Sequence, residues 1–317
     1  MLKIEHKINY ELKFDVPFNL EKSVFIDIET TGLSREFSFI YLIGIVKYNL
    51  SEGFHMTQLF IDAAKDEKSL LLAFKSEVKD CLLLTYNGDS FDIPFINSRI
   101  NKYNDIQLSN ESFDIMKYLK KFKHFLTLEN YKLKTLEKHL NIHREDIYSG
   151  KDCSQFYKEY QYTKDPDLLN KILQHNYDDI YSMPKLLGII PHIDGLRTIE
   201  SGDTKLIIKD IFLDKDMLKI SGNLKGPCSK LYNYYGSNHH LSIEEKKFTV
   251  SIETRKAHID DSTYCNYIIT SDFNFKNGII DQTIYKLPEN LIILFINNLP
   301  IIDNIKNVLN EIIKIGI

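Results

Sequence analysis

Two acidic residues lie at the end of a short apolar run near the start of the chain. Residues 24–28 are Val-Phe-Ile-Asp-Ile, which is typical of a buried strand, and Glu29 and a Thr-Thr-Gly turn follow. Side chains two apart on a strand point to the same face, so Asp27 and Glu29 would lie side by side. Adjacent carboxylates repel each other unless a cation lies between them. The pair therefore indicates a metal site, although a lone pair is also typical of two solvated acids that open a turn.

A third acidic residue follows a later apolar run. Residues 81–86 are predicted to form a second buried strand, and Asn87 and Gly88 permit a turn after it. Asp92 then opens a predicted helix. Considered alone, Asp92 is more typical of a residue that caps a helix N-terminus.

A histidine and an aspartate share one face of a late helix. His175 and Asp179 are four residues apart, so they lie one turn apart on the same face, whereas Tyr177 and Asp178 project elsewhere. By itself this pattern is also typical of a solvated helix face.

The order of these three elements resembles the three motifs of the DEDD (DnaQ-like) 3′–5′ exonucleases, which have the ribonuclease H fold. Residues 27–33 resemble the first motif, and Asn87, Phe91 and Asp92 are similar to the second motif of family-B DNA polymerase proofreading domains. A longer stretch before the final His-Asn-x-x-Asp-Ile motif resembles the YprB-like family of bacterial ribonuclease H-like exonucleases. Its segments are residues 133–137, 141–150 and 156–160. The resemblance covers about residues 20–190.

The resemblance implies a site for two divalent metal ions, Mg²⁺ or Mn²⁺, bound by the carboxylates of Asp27, Glu29, Asp92 and Asp179. Two such cations balance about four negative charges, and hard cations prefer oxygen ligands. Bound metals would activate a water, clamp the scissile phosphate and stabilise the leaving oxygen. Asp178 is the alternative fourth ligand.

One position departs from the better-known subgroups of this family. The histidine subgroup has its histidine five residues before the last aspartate, and the tyrosine subgroup has a tyrosine four residues before it. His175 stands at the tyrosine spacing. A neutral imidazole there could accept the proton of the attacking water as a general base. Alternatively, His175 is a polar helix residue and the metals alone activate the water.

Five further residues are expected to contact the substrate, again by resemblance. Thr30 and Thr31 would offer backbone and hydroxyl groups to the terminal nucleotide, and Leu33 would pack on its base. Asn87 and Phe91 resemble the polar contact and the stacking partner of the second motif. Stacking of a base on an aromatic ring contributes about 1–3 kcal/mol and tolerates any sequence.

The charge balance bears on the kind of partner. The chain has 40 basic and 44 acidic residues, a net charge of −4, and neither half is basic. Proteins that hold long duplexes by neutralising phosphates usually have a basic excess. The resemblance implies a nucleic-acid partner, and the lack of a basic excess favours a single-stranded end of DNA or RNA over a long duplex. Protein partners are left open by the sequence. The alternative function is a catalytically silent ribonuclease H-fold module that binds nucleic acid or protein.

The elements that must position these residues follow from the periodicity of apolar residues. The first half alternates strand-like runs with helical segments, which predicts an α/β domain. The resemblance implies that this domain is a ribonuclease H-like mixed sheet flanked by helices. Its predicted strands are residues 24–28, 39–48, 54–61 and 81–86. Its predicted helices are residues 66–79, 92–102, 113–121, 132–140, 154–160 and 167–187.

After about residue 191 the pattern changes to strands with polar turns. The predicted strands are residues 204–213, 217–224, 230–235, 246–254, 263–270 and 291–296, and a helix over residues 302–315 follows. The chain thus divides into a lead-in segment (1–20), a ribonuclease H-like exonuclease domain (21–190) and a smaller β-rich accessory domain (196–317). In the last, residues 232–240 could stack bases or form an ordinary hairpin whose adjacent histidines point to opposite faces.

Composition excludes several classes of protein. Hydrophobic residues make up 43% and charged residues 26%, as in a folded globular protein. No apolar run approaches the ~18–20 residues of a membrane helix, and the first residues lack the apolar core of a signal peptide. The four cysteines are far apart, which argues against a zinc site or a disulfide scaffold. We expect a cytoplasmic protein without membrane contact.

Overall fold

The structure is a computed structural model that describes residues 1–126, 128–226, 231–275, 278–285 and 287–316. The chain divides into two compact units. The first comprises Met1–Lys123 and Leu128–Pro191, and the second comprises His124–Thr127 and His192–Ile317. The start of the strand predicted for residues 230–235 lies outside the described residues.

The first unit has the α/β architecture predicted for it. Its strands are β1 (Leu2–Ile8), β2 (Ser23–Thr30), β3 (Ile40–Asn49), β4 (Gly53–Phe60), β5 (Leu82–Thr85) and β6 (Ser112–Asp114). Its helices are α1 (Glu67–Glu77), α2 (Asp92–Lys102), α3 (Ile115–Lys121), α4 (Leu133–His139), α5 (Gly150–Thr163) and α6 (Pro166–Leu186). Helix α7 (Ile189–Leu196) follows α6 along the chain. The mixed sheet flanked by helices confirms the predicted fold class.

The strands form one sheet in the order β1-β4-β3-β2-β5-β6. Strand β2 pairs antiparallel with β3 and parallel with β5, so it lies inside the sheet. A strand with neighbours on both edges and helices on the faces is buried along its length, which explains the apolar run in its sequence. The segment expected as a lead-in contributes the edge strand β1, which pairs antiparallel with β4.

The helices pack on the sheet through one continuous apolar core. Helix α6 contributes Leu168 and Ile172, which are one turn apart on its buried face. Tyr157 of α5 stacks on Tyr41 of β3, with ring centroids 4.0 Å apart. Full burial of one large apolar side chain stabilises a fold by about 1.5–3 kcal/mol. Helices α5 and α6 are therefore held firmly against the strands that end at the site.

Two helices start more than one residue away from their predicted first residue. The helix predicted for residues 113–121 is wrong at its beginning, because the segment up to Asp114 pairs with β5 as strand β6. The Asp114 carboxylate accepts a hydrogen bond from the Lys117 amide and so caps α3. Helix α5 begins before its predicted start, because Ser149 and Asp152 form a capping box that nucleates an earlier first turn.

The second unit is β-rich, as predicted, and it ends in a helix. Its strands are β7 (Thr198–Ser201), β8 (Thr204–Asp214), β9 (Met217–Lys225), β10 (Tyr232–Tyr235), β11 (His239–Glu244), β12 (Lys247–Glu253), β13 (Arg255–His258), β14 (Tyr264–Ile269), β15 (Leu291–Ile296) and β16 (Leu299–Pro300). They form an antiparallel sheet in the order β10-β11-β12-β9-β8-β7 and a second antiparallel sheet in the order β13-β14-β15-β16. Helix α8 (Ile302–Gly316) joins both sheets in a common core.

The segment 232–240 forms the hairpin of β10 and β11. Tyr235 pairs with His240, and their rings stack with centroids 4.1 Å apart. His239 points to the opposite face and stacks on Phe273 at 5.3 Å. The adjacent histidines thus face opposite ways, as predicted. Among the described residues, no helix is both long enough and apolar enough to cross a membrane.

Candidate active site

The residues predicted from the three motifs line a single cleft in the first unit. Its volume is about 830 Å³. Its lining includes all ten predicted site residues: Asp27, Glu29, Thr30, Thr31, Leu33, Asn87, Phe91, Asp92, His175 and Asp179. Segments that are up to about 150 residues apart in the sequence therefore meet at the carboxyl end of β2.

The first two motifs are joined by a hydrogen bond between strand and helix. Strand β2 carries Asp27 and Glu29, with the Ile28 amide between them. That amide donates to Oδ1 of Asp92, the first residue of α2, at 3.1 Å. The bond fixes the start of α2 against the end of β2. Three carboxylates are thereby brought to one place, and Asp92 is the first residue of α2 rather than its N-cap.

The third motif completes a set of possible metal ligands. Nε2 of His175 lies 3.5 Å from Oε1 of Glu29 and 3.9 Å from Oδ2 of Asp179. Each of these three residues offers one ligand atom, and the three atoms lie within 4.8 Å of one another. Divalent cations such as Mg²⁺ and Mn²⁺ prefer carboxylate oxygen and tolerate imidazole nitrogen. The donor set therefore fits a divalent cation.

Burial and mutual repulsion dominate the electrostatics of the carboxyl groups. Burial raises the pKa of Asp27 well above its usual range, and the charges of Asp179, Asp92 and Glu29 raise it further. Burial and the charges of Asp179 and Asp92 act in the same way on the pKa of Glu29. Burial raises the pKa of Asp92 to about 7. A bound divalent cation would reverse these shifts, because it stabilises the ionised carboxylates.

Asp178 has a different role from its neighbour Asp179. Its Oδ2 accepts hydrogen bonds from the backbone amides of Glu145 and Asp146, at 2.9 and 2.6 Å. Its Oδ1 accepts one from the Gln174 side chain at 2.9 Å. The bonds from the two backbone amides hold the loop between α4 and α5 against the Asp178 carboxylate. Asp179, in contrast, lines the cleft.

The loop between α4 and α5 carries a partner of His175 that the motifs did not reveal. Nδ1 of His175 lies 2.7 Å from Oδ2 of Asp146, and both side chains are buried. Burial opposes ionisation of Asp146, but the bonds from His175 and the Tyr148 amide lower the pKa of Asp146 overall. In the neutral tautomer that carries its proton on Nδ1, the ring donates to Asp146, and Nε2 then faces the carboxylates with a lone pair.

Arg144, on the same loop, brings a buried cation into the carboxylate cluster. Its Nη2 contacts Oδ1 of Asp179 and lies 3.4 Å from Oδ2 of Asp146. Its Nη1 donates to both oxygens of Glu137, at 2.9 and 3.1 Å. The Arg144 side chain is only 9% exposed. The sequence analysis did not single out Arg144, because its chemistry depends on partners brought together by the fold.

A buried amide orients Asp27. Asp27, Gly44 and Gln58 lie in one row across β2, β3 and β4. Asn176 of α6 lies over this row, donates to Oδ2 of Asp27 at 2.8 Å, and accepts from the Gln58 amide at 2.9 Å. A side chain at position 44 would collide with it, since an added Cβ would lie 2.7 Å from Oδ1 of Asn176. Two signals in the sequence point to this contact: Asn176 interrupts an apolar stripe at four-residue spacing, and a glycine interrupts β3.

The side chains predicted to contact the substrate differ in whether they are already bonded within the protein or exposed. The Thr30 hydroxyl donates to the Gly32 carbonyl at 2.9 Å, and the Thr31 hydroxyl accepts from the Phe39 amide at 3.1 Å. Both threonines therefore stabilise the turn after β2. Leu33, at the tip of this turn, is 84% exposed and available to a ligand.

The turn that carries Asn87 is held by a buried carboxylate. Asn87 adopts a left-handed backbone conformation with φ of 65°. Its amide donates to Oδ1 of Asp114 at 3.0 Å, and the Asp89 amide donates to Oδ2 at 3.2 Å. Phe91 is half-buried and packs on Phe95, with ring centroids 5.6 Å apart. Asp114 is thus a supporting residue whose local signal was only that of a helix cap.

Four lysines line the cleft together with these acids: Lys132, Lys134, Lys151 and Lys158. All four are exposed, and they come from α4, the residue before it, and α5. The cleft therefore has buried carboxylates and exposed ammonium groups in its lining. Such a pairing suits a polyanion that is also contacted by bound cations.

The fold and the cleft define the class of protein. Residues 24–190 match the model of the RNase H superfamily. This segment is more than half of the chain, and the chain belongs to the RNase H superfamily.

Particular relatives come from bacteria. The chain is 29% identical over 175 residues to "Uncharacterized protein YprB" of Bacillus subtilis (strain 168), covering 53% of this chain and 42% of that protein. This likeness confirms the resemblance to the YprB-like family. The chain is also 31% identical over 122 residues to "DNA polymerase III PolC-type" of Ureaplasma parvum serovar 3, covering 31% of this chain and 8% of that protein.

Among solved structures, the chain is similar to the family B DNA polymerase of the archaeon Pyrobaculum calidifontis. The TM-score is 0.42 at 15% identity, over 57% of this chain and 25% of that chain. The chain thus spans less than half of the length of each of these three proteins.

Proposed function

We propose that the chain is a metal-dependent 3′–5′ exonuclease that hydrolyses phosphodiester bonds at the ends of nucleic acids. Membership of the RNase H superfamily supports a nuclease. The observation that carries the proposal is the convergence of four acidic side chains, from β2, α2 and α6, on one cleft. Their number and the raised pKa values of Asp27, Glu29 and Asp92 support a site that binds two divalent cations.

In this proposal Asp27, Glu29, Asp92 and Asp179 hold two ions, Mg²⁺ or Mn²⁺. When bound, the ions supply positive charge that stabilises the phosphate and lowers the pKa of a water. The Asn176 amide holds the Asp27 carboxylate in one orientation. That orientation is fixed before any ion binds, so ion binding loses less side-chain conformational entropy.

We assign proton transfer to His175. Asp146 holds the proton on Nδ1, so Nε2 presents a lone pair within 3.5 Å of Glu29 and 3.9 Å of Asp179. A lone pair beside the ligand carboxylates could accept a proton from the attacking water. The same lone pair could instead bind an ion. The Mn²⁺ affinity of His175→Ala distinguishes these roles, since only a ligand loses affinity on removal.

The substrate in this proposal is a single-stranded end of DNA or RNA. The exposed lysines of the cleft suit backbone phosphates, and Leu33 and Phe91 offer apolar surface to unstacked bases. The relative named as a DNA polymerase acts on nucleic acid, which supports the same class of partner. We assign the chemistry to residues 21–190 and treat the β-rich residues 196–317 as an accessory domain.

The test uses single-stranded DNA and RNA labelled at the 5′ or the 3′ end, incubated with the full chain and Mn²⁺. We expect 3′-labelled substrate to release labelled mononucleotide at once, and 5′-labelled substrate to shorten progressively. EDTA and Asp27→Asn should abolish both. Asp167→Asn is the matched control, because Asp167 is an exposed aspartate in the first turn of α6.

Two outcomes would contradict the proposal. Equal hydrolysis by Asp27→Asn and by the unaltered chain would exclude the carboxylate site as its source. Binding of the oligonucleotides without hydrolysis under any metal condition would favour a silent binding module instead.

A further inference from the structure

Arg144 brings its positive charge to the cluster of carboxylates in the cleft. Asp179 faces the cleft, with 18% of its side chain exposed, and its Oδ1 contacts Nη2 of Arg144. The other end of the guanidinium is bound by Glu137, whose side chain is 2% exposed. Nε of Arg144 is buried and has no hydrogen-bond partner among the described residues. Arg144 therefore has one anchored nitrogen, Nη1, and one nitrogen, Nη2, that contacts a group open to the cleft.

Of the three carboxylates near Arg144, Asp146 is the buried partner of His175, and Glu137 and Asp179 differ in their access to the cleft. Glu137 lies away from the cleft lining and is almost fully buried, so removal of its partner would leave an uncompensated buried charge. Asp179 belongs to the cluster with Glu29 and His175 that could hold a metal ion. A divalent cation could replace the guanidinium at Asp179, whereas nothing in the described cleft could replace it at Glu137.

We propose that Arg144 is the counter-charge of Asp179 in the metal-free protein, that a divalent cation displaces it from Asp179, and that the freed Nη2 then binds a phosphate oxygen of the substrate. This inference rests on the proposed exonuclease function. The bond from Nη1 to Glu137 keeps the guanidinium in the cleft throughout. Guanidinium groups bind phosphate oxygens in the same fork geometry that they use for carboxylates.

The proposal makes two predictions of opposite sign for Arg144→Met. The affinity for Mn²⁺ should rise at least about tenfold, because the guanidinium that competes with the ion for the Asp179 carboxylate is removed. The affinity for a single-stranded oligonucleotide at saturating Mn²⁺ should fall about tenfold, because one charge-assisted phosphate contact is lost. An arginine that only stabilises the fold would, on removal, weaken both.

The experiment uses the full chain. Mn²⁺ binding is measured by titration calorimetry on metal-free protein without nucleic acid, and oligonucleotide binding by fluorescence anisotropy with a phosphorothioate-protected end. Arg35→Met is the matched control, since Arg35 is exposed and donates to the Ser90 carbonyl. If Arg144→Met does not fold, Arg144→Lys replaces it. A lysine keeps the charge but lacks the fork, so both effects should keep their sign and become smaller.

Each outcome has one meaning. If the unaltered chain binds no Mn²⁺, the proposed function itself is wrong. If it binds Mn²⁺ and the arginine variant binds it equally or more weakly, Arg144 does not compete for Asp179 and the inference is overturned alone. A rise in Mn²⁺ affinity without loss of oligonucleotide affinity would overturn the phosphate contact.

Discussion

Asp92→Asn should stabilise the metal-free protein at neutral pH. The Asp92 carboxyl is 6% exposed and accepts a hydrogen bond from the Ile28 amide. Burial and the charges of Asp114 and Asp179 raise its pKa, and the bonds from backbone amides only partly oppose this. An asparagine has nearly the same shape, and its carbonyl oxygen can accept the same bond from Ile28. The substitution therefore removes a buried charge and little else.

The magnitude and the sign follow from the shift in the pKa of Asp92, from 3.8 to about 7. Between these values the folded protein keeps a proton that the unfolded chain has released. The metal-free protein therefore loses stability as pH rises through this window, and the loss is complete above the upper value. About three pKa units at ~1.36 kcal/mol each give a free-energy difference on the order of 4 kcal/mol. In a unit of this size that corresponds to roughly 8–16 °C in Tm.

Scanning calorimetry in EDTA between pH 4.5 and 8 measures this difference. We expect the difference in Tm to be small near pH 4.5, close to the lower end of the window, and the Asp92→Asn variant to melt at increasingly higher temperature than the unaltered chain as pH rises. At pH 8 and saturating Mg²⁺ the unaltered chain should melt at the higher temperature, because only the unaltered chain has all four carboxylates that would bind the ions. Asp167→Asn should show neither effect. A difference that does not depend on pH, or a variant less stable at pH 8, would refute the electrostatic reasoning.

Two further predictions concern residues that support the proposed ligands. Gly44→Ala should lower the free energy of unfolding, measured by urea titration, by about 2–4 kcal/mol, because the new Cβ would displace the Asn176 amide. Gly195→Ala is the control, since an added Cβ there meets nothing within 4 Å. It should change the free energy of unfolding by less than about 1 kcal/mol. Asp146→Asn should keep Mn²⁺ affinity in calorimetry but lower the single-turnover rate by roughly 10²–10⁴-fold. The Tyr148 amide would hold the new side-chain carbonyl and turn the NH₂ group, a donor, toward Nδ1 of His175, which reverses the tautomer. An unchanged rate would show that the metals alone activate the water.

Much of the fold of the first unit could be predicted from local pattern. Strands β2, β3 and β4 follow apolar runs bounded by turn residues, and helix α2 has the predicted bounds. The periodicity of the apolar residues in these elements is a local feature, so the local sequence contains the information. Strand β6 could not be separated from α3, because its strand character comes from pairing with β5, which is distant in the sequence.

Part of the candidate site was predictable from the order of its motifs. A lone pair of acids at a strand end is also typical of a solvated turn, but the order of the three motifs placed Asp27 and Glu29 in the candidate site without a structure. Arg144 and Asp146 could not be placed there, because their partners on α6 lie 35 and 29 residues away and a lone arginine or aspartate in a loop is typical of a solvated surface. Their roles depend on how the loop between α4 and α5 folds over the third motif.

The adjacent residues Asp178 and Asp179 link that loop to the site. They have the same side chain but point to different faces of α6, as consecutive helix positions must. Asp179 offers its charge to the cleft, whereas Asp178 uses its charge on the backbone amides of Glu145 and Asp146. Those two bonds fix the segment that begins at Arg144, and so they determine where the guanidinium and the partner of the histidine lie. One turn of α6 therefore carries the proposed metal ligand Asp179. Through the bonds of Asp178 to the loop backbone, the same turn also positions Arg144, which neutralises charge in the site, and Asp146, which orients His175.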